Sequence, residues 1–417
     1  LGDVYKRQGV TCYMNSNIIL PGFEEATILK AQEREGQYII HFEMPIKPHK
    51  CPQCGIFTTQ IHDYRMTKIK HLKFSERKTI LFYRKRRYRC TCGKRFAEQN
   101  PIVERYQRFS KEWNQMAQVR AVKGKTFKET AAQYGTSVST IIKRFDRVIP
   151  KSIKEMKKLP PVIAIDEFKG NANKEKFQLI IANAVTKEPI DILPNRKKET
   201  IEAYLHQYGE NVQTVVMDMS HSFKAAVTKS LGKPVIIADR FHFVRYINWA
   251  IEKVRIRIQS EWNDYDRKKI KKKRFVFLKK SKNLTDYDQW YLDRYCDFSN
   301  ELKVAYELKE HFYRWFEAAK VNGKEKMKQT KKGLERFYKK VEKLGIPEFI
   351  RTIQTFKNWE TEILNSFSFG YSNGFVEGFN NLTKVLKRNA FGFRRFDRLR
   401  AKILLIHQYK DIGNTIG

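Results

Sequence analysis

The chain has 417 residues, 41% of them hydrophobic, with 83 Lys and Arg against 45 Asp and Glu, for a formal net charge of +38. So strong a positive charge repels itself unless a polyanion meets it, and the basic residues are interleaved with 20 Tyr, 29 Phe and 6 Trp along the whole length, which fits a folded nucleic-acid-binding protein better than a basic tail. No apolar run is long enough to span a bilayer, no single basic amphipathic helix dominates as membrane-surface binding would require, and six cysteines, four of them clustered, argue for a metal site in a reducing compartment rather than a disulfide framework.

Position 1 is Leu and residues 1–13, including Cys12, carry no clear pattern; they are expected to be a non-native leader, with Met14 a plausible start. Ala26–Ala31 and Gln37–Glu43 read as strands, ended by Pro45 and Pro48. Cys51-Pro52-Gln53-Cys54-Gly55 and Cys90-Thr91-Cys92-Gly93 then form two knuckles. Zinc wants four ligands in a tetrahedron, paired cysteines on tight turns supply two each, and a following Gly permits positive φ. Between them Thr79–Arg89 alternates basic and aromatic residues as a strand does. The module reads as a zinc ribbon with Cys51, Cys54, Cys90 and Cys92 holding Zn2+; His49, His62 and His71 lie nearby, but four cysteines suffice. Cys296 reads as a buried hydrophobe.

Ser110–Ile149 is a helical cluster, and Phe127–Phe145 fits a helix-turn-helix. Gly135 breaks the first helix, Ser137 or Ser139 caps the second, and Val138, Ile141, Ile142 and Phe145 are expected to pack inward. That leaves Lys143, Arg144 and Arg147 for DNA, with Ser137, Ser139 and Thr140 at the leading end where base edges are read. The expected boundaries are 14–104 for the strands and ribbon, 105–150 for the helix-turn-helix and 151–160 for a basic linker.

Beyond it the pattern changes. Val162–Asp166, Phe177–Val185 and Pro189–Leu193 are strands, Lys198–Tyr208 a helix, Val212–Met217 a strand, Ser220–Leu231 a helix, Pro234–Ala238 a strand, and a long helix starts near Phe241. That order packs as a mixed sheet covered by helices, and it places Asp166, Asp218 and Asp239 at strand C-terminal edges, where open α/β sheets put their chemistry. Residues 255–365 read as an all-helical insertion between core segments 161–254 and 366–417; its run Arg267–Arg274 is either a solvated face or a phosphate contact. The last segment opens with Ser372-Asn373-Gly374-Phe375-Val376-Glu377-Gly378-Phe379-Asn380-Asn381. Phe375, Phe379, Leu382 and Leu386 recur at helical spacing, while Glu377, Asn381, Lys384 and Arg388 line a different face: a carboxylate for a cation, followed by an amide and cations for phosphates.

Phosphodiester cleavage by a hydroxyl or water nucleophile can run on two divalent ions held by three carboxylates from separate elements. Asp166, Asp218 and Glu377 are such a set, although aspartates at strand ends also serve simply as helix caps. At these residues the chain resembles the DDE transposases of bacterial insertion sequences, and within them the ISL-three family. The resemblance runs from about Met14 to Gln408 and is carried by Cys51–Gly55, Ile165-Asp166-Glu167-Phe168, Val216-Met217-Asp218-Met219-Ser220, Ala238-Asp239-Arg240-Phe241-His242 and Ser372–Asn381.

The resemblance implies an α/β multidomain protein with an amino-terminal zinc ribbon and helix-turn-helix, then an RNase H-like mixed sheet with a helical insertion. It implies Asp166 and Glu377 as the outer members of the triad. Asp218, which follows the fourth strand, is favoured over Asp239 as the middle one. Asp239-Arg240-Phe241-His242 then resembles a motif of related transposases with helical inserts, in which His242 orients a phosphate or donates to a carboxylate. Glu167 is expected on the opposite face of its strand and His221 on a helix surface. The implied activity is Mg2+- or Mn2+-dependent DNA cleavage and strand transfer. The implied partners are terminal inverted repeats and target DNA, bound by a homo-oligomer in the bacterial cytoplasm at the nucleoid. The competing readings are a catalytically inert DNA-binding regulator derived from a transposase, and an RNase H-like nuclease acting without sequence preference.

Overall fold

The computed structural model describes residues 23, 25–99, 102–104, 106–152 and 158–408. The expected leader 1–13, the start at Met14 and Cys12 lie outside them. The chain divides into two compact units, 1–153 and 154–417.

In the first unit, strands β1 (Thr27–Arg34), β2 (Gln37–Glu43), β5 (Ile61–Lys70) and β6 (Lys78–Arg89) form a sheet in the order β1-β2-β6-β5, with β7 (Arg95–Ala97) also paired to β6. Strands β3 (His49–Lys50) and β4 (Phe57–Thr58) make a separate two-stranded pair around the first knuckle. Along β6 the buried face changes parity: Thr79, Leu81 and Tyr83 are buried in its first half and Arg86 and Tyr88 in its second, with Arg84 exposed between them. Phe42, Ile69, Leu81 and Tyr83 close the core of the sheet with Phe23.

Helices α1 (Lys111–Lys123), α2 (Phe127–Gln133) and α3 (Val138–Ser152) follow. Thr126 caps α2 by accepting the Glu129 N–H at 2.9 Å, and Gly135 turns the chain at φ +58°. Ile141 and Phe145 are fully buried as expected, but Val138, the first residue of α3, is exposed. The expected linker 151–160 begins inside α3, whose last residues are Lys151 and Ser152.

The second unit is built on a five-stranded sheet of order β10-β9-β8-β11-β12, from β8 (Val162–Phe168), β9 (Gln178–Asn183), β10 (Glu188–Leu193), β11 (Thr214–Met217) and β12 (Val235–Ala238). Strands β8, β9 and β10 are antiparallel neighbours; β11 runs parallel to both β8 and β12. This is the order of the RNase H-like core. Helices α4 (Lys198–Tyr208) and α5 (His221–Leu231) make the crossovers, packing Ile201, Leu205, Phe223 and Val227 onto Ile163, Ile165, Val215 and Met217.

Helix α6 (Arg240–Gln259) runs without a break through the boundary expected at 254. With α7 (Asp264–Lys272), α8 (Phe275–Leu278), α9 (Asp286–Phe298), α10 (Asn300–Asn322), α11 (Met327–Leu344) and α12 (Pro347–Asn358) it forms the helical insertion around Phe312, Phe337 and Phe356. Helix α13 (Glu360–Ser368) returns to the core and covers the edge strand β12: Asn365 Nδ2 donates to the Ile236 carbonyl at 2.8 Å, and Arg240 donates to the Ser366 carbonyl at 3.0 Å. Helices α14 (Gly374–Asn389) and α15 (Phe396–Gln408) cover the sheet face opposite α4 and α5, burying Val376, Phe379, Leu386, Leu399 and Ile403 against Ala164, Val216 and Ile237.

Candidate active site and zinc ribbon

The period-2 alternation of three strands builds the site. Ala164 in β8, Val216 in β11 and Ile237 in β12 all face the α14–α15 layer. Two residues on, Asp166, Asp218 and Asp239 leave the sheet on that same side. Because β8, β11 and β12 are parallel and Val216 pairs with both Ala164 and Ile237, the carboxylates emerge at the same end and at the same level. Glu167 points the other way and pairs with Arg196.

Asp166, Asp218 and His242 converge: one ligand atom from each lies within 4.8 Å of the others. His242 Nε2 is 2.8 Å from Asp218 Oδ1 and 3.8 Å from Asp239 Oδ2, while its Nδ1 faces Arg245 Nη2 at 3.1 Å. A guanidinium can only donate, so Nδ1 accepts and the proton sits on Nε2; Nε2 meets Asp218 as a close ion-pair contact, and Asp218 Oδ1 has no well-aligned hydrogen-bond donor among the described residues. Neither aspartate is used as a plain helix cap. Ser220, not Asp218, accepts the Phe223 N–H at the start of α5; Asp239 makes no well-formed side-chain cap bond to α6, although the backbone N–H groups of Asn373 and Phe241 act on its carboxyl.

The electrostatics are those of crowded, partly dry carboxylates. Burial and the Asp218 charge push the Asp166 carboxyl up to about 7. Burial likewise raises Asp239, with Asp218 adding to it. For His242, burial alone would lower the pKa, but the bond to Asp218 and the charges of Asp218 and Asp239 carry it above its ordinary value. Two or three carboxylates facing one imidazole are short of positive charge, which is the condition a divalent cation relieves. The residues present therefore fit such an ion.

Helix α14 closes the site from above. Asn380 Nδ2 donates to Asp166 Oδ2 at 2.8 Å, and the Glu167 N–H donates to Asp166 Oδ1 at 2.8 Å, so the carboxylate is clamped from both sides. Asn373, the residue before α14, sends Nδ2 to the Ile165 carbonyl at 3.0 Å instead of capping its own helix. Both amides are buried, and neither Oδ1 has a hydrogen-bond partner among the described residues. An unpaired buried acceptor costs about 1–3 kcal/mol.

Glu377 is exposed and is not among the groups brought together. It sits four residues after Asn373 and three before Asn380, on the turn between them and on the same side of the helix. Asn381, Lys384 and Arg388 are exposed along α14, with Lys384 donating to Asn381 Oδ1 at 3.1 Å. Asn373, Asn380 and Arg245 had no role among the expectations from sequence. The first two share the Glu377 face, and the signal available was two amides at helical spacing around that acid.

In the first unit the four cysteines gather as expected, Cys54 Sγ 3.4 Å from Cys90 and Cys51 Sγ 3.7 Å from Cys92. A tetrahedral zinc with sulfurs at about 2.3 Å spaces them by roughly 3.8 Å. Gly55 (φ +78°) and Gly93 (φ +85°) complete the two turns. The Cys92 backbone N–H draws the Cys90 thiol down to about 6.

On α3, Lys143 and Arg147 are exposed. Ser137 Oγ accepts the Thr140 N–H at 3.3 Å and lies 2.9 Å from Ser139 Oγ at the start of the helix. Arg144 is not placed for DNA. It is buried, donates to Asn114 Oδ1 at 2.7 Å and Gln107 Oε1 at 3.3 Å, and stacks over Phe109. Its position one residue from the exposed Lys143 turns it about 100° into the helix bundle.

A zinc ribbon, a helix-turn-helix and an RNase H-like sheet interrupted by helices together define a DNA-handling protein of the insertion-sequence type. Three family models match in the same order: the zinc-finger of transposase IS204/IS1001/IS1096/IS1165 over residues 47–92, the helix-turn-helix domain of transposase family ISL3 over 98–149, and the ISL3 transposase domain over 163–403. The chain belongs to the ISL3 transposase family. It is 24% identical over 372 residues to the transposase for insertion sequence element IS1001 of Bordetella parapertussis, covering 85% of this chain and 88% of that one. It is 23% identical over 273 residues to the transposase for insertion sequence element IS1557 of Mycobacterium tuberculosis, covering 58% and 59%. A 133-residue stretch is 34% identical to a Lactococcus lactis subsp. lactis protein named ATP-dependent protease, over 31% of this chain and 38% of the other; so short a match carries no activity across.

Proposed function

We propose that this protein binds the terminal inverted repeats of its insertion sequence, cuts the DNA at those ends and joins the freed 3′ ends to a target. The observation that carries the reading is the meeting of Asp166, Asp218 and His242 at one end of the parallel strands. Asp166, Asp218 and Glu377 are the residues that would hold Mg2+ or Mn2+, which supplies charge stabilisation for phosphodiester displacement. The tautomer that Arg245 imposes on His242 leaves its Nε2–H as a donor, to Asp218 or to a phosphate oxygen. Asp239 faces the same Nε2 as Asp218 and supports its charge. Lys143 and Arg147 contact repeat DNA, with Ser137, Ser139 and Thr140 at the base edges. Asn381, Lys384 and Arg388 grip phosphates beside the site. Two element ends must be held together, which calls for a homo-oligomer on DNA.

The exposed Glu377 is the one observation that favours the inert-regulator reading. Both are tested with the DNA that flanks the gene, mapping cuts at nucleotide resolution with Mg2+ or Mn2+. Asp166→Asn, Asp218→Asn and Glu377→Gln are expected to abolish cutting while repeat binding survives. A wild-type protein that binds the repeats and never nicks them would establish the regulator instead.

A further inference from the structure

We propose that Asn380 is a positioning residue for the metal-binding carboxylate of Asp166; the inference rests on the functional reading above. Asn380 stands on the buried side of α14, between Phe379 and Thr383. That environment favours an apolar side chain. The amide instead spends its Nδ2 on Asp166 Oδ2 and leaves its Oδ1 buried and unpaired. A group kept for stability alone would not leave half its hydrogen-bonding capacity empty.

What the arrangement achieves is directional. Asp166 Oδ1 accepts the Glu167 N–H and Oδ2 accepts the Asn380 amide. Each oxygen takes one of these donors and keeps further lone pairs; one of them lies within 4.8 Å of the ligand atoms of Asp218 and His242, and the two donors hold the rotamer. The donor is also neutral. Lys or Arg in the same place would fix the carboxylate but cancel the charge a cation needs. A second amide, Asn373, ties the start of the same helix to the carbonyl of Ile165, the residue before Asp166. One helix is thus fastened to one strand at both ends of the turn that bears Glu377. The clamp sets Asp166 and fixes the phase of Glu377 together.

The test uses full-length protein with Asn380→Leu and Asn380→Ala, reading Mn2+ affinity by electron paramagnetic resonance, thermal melting, and repeat-end cleavage. The leucine matches the asparagine in size; it removes the unpaired Oδ1 but also the donor to Asp166 Oδ2, so its melting temperature should stay close to the wild type. Mn2+ binding should weaken about 10–100-fold, the range seen when the partner of a metal ligand is removed. Cleavage should fall through kcat and be partly restored by excess Mn2+, with DNA affinity unchanged. Mn2+ affinity and cleavage at wild-type level in both variants would overturn the proposal. So would a large loss of melting temperature in both, which would make the role structural. Asp166→Asn serves as the control. If that variant still cuts, the functional reading fails, whatever Asn380 does; if it is dead while the Asn380 variants are normal, only the positioning role of Asn380 falls.

Discussion

Asp166 ties the titration of the site to its ligand. With the carboxyl held near 7 by burial and by Asp218, protons and the proposed cation would compete for the same oxygens around neutral pH. A raised carboxyl pKa means the metal-competent form grows as pH increases. At limiting Mg2+, cleavage is therefore expected to rise with pH through about 7, and raising Mg2+ should move the midpoint downward. Rates measured across pH at two metal concentrations check this; a midpoint indifferent to Mg2+ would separate Asp166 from cation binding. Arg144 and its neighbours make the second contrast at this scale. Lys143→Ala and Arg147→Ala should weaken repeat binding with little change in melting. Arg144→Ala should instead destabilise the helix-turn-helix, because Asn114 and Gln107 lose their shared donor and Phe109 loses its cover. Melting curves and DNA titrations of the three variants distinguish the two behaviours.

At the scale of elements, the zinc ribbon shows how little core some segments carry. Strands β3 and β4 have two residues each, and Ile56 and Phe57 beside them are exposed. Too little apolar surface is buried there to offset chain entropy, so the four sulfurs and their ion must hold the knuckles. Chelation of zinc, or Cys51→Ser, is expected to open residues 47–97 to protease; zinc release followed by a chromogenic chelator and mapped cleavage sites report it. Helix α14 was legible as amphipathic from Phe375, Phe379, Leu382 and Leu386. Its buried amides were not, because period alone does not say whether an inward polar residue is an error of packing or part of a site.

At the scale of the whole molecule, a net charge of +38 acts through counterion release. The block in and after α7 presents Arg267, Lys268, Lys271, Lys272 and Arg274 as exposed side chains. Asp264 engages only the first two, at 3.3 and 3.8 Å. Replacing Lys271, Lys272 and Arg274 by Gln should reduce affinity for repeat DNA without changing sequence preference. Each phosphate that is no longer neutralised should take about 0.9 off the slope of log affinity against log salt. An unchanged slope would mark the block as a solvated helix face.

The order of strands and helices in the core, the cysteine knuckles, the helix-turn-helix and the three strand-end aspartates were readable because each rests on a local signal: alternation, paired ligands at a turn, or a polar residue ending an apolar run. Choosing among acids was not local. Asp218 joins Asp166 because β11 pairs directly with β8, whereas Asp239 ends β12, one strand further along, and reaches His242 Nε2 only at 3.8 Å. Arg144 was lost to the bundle and Asn380 gained for the site by the same cause. A side chain's partners are set by what its helix packs against, and that is decided only when distant segments of the chain close into one core.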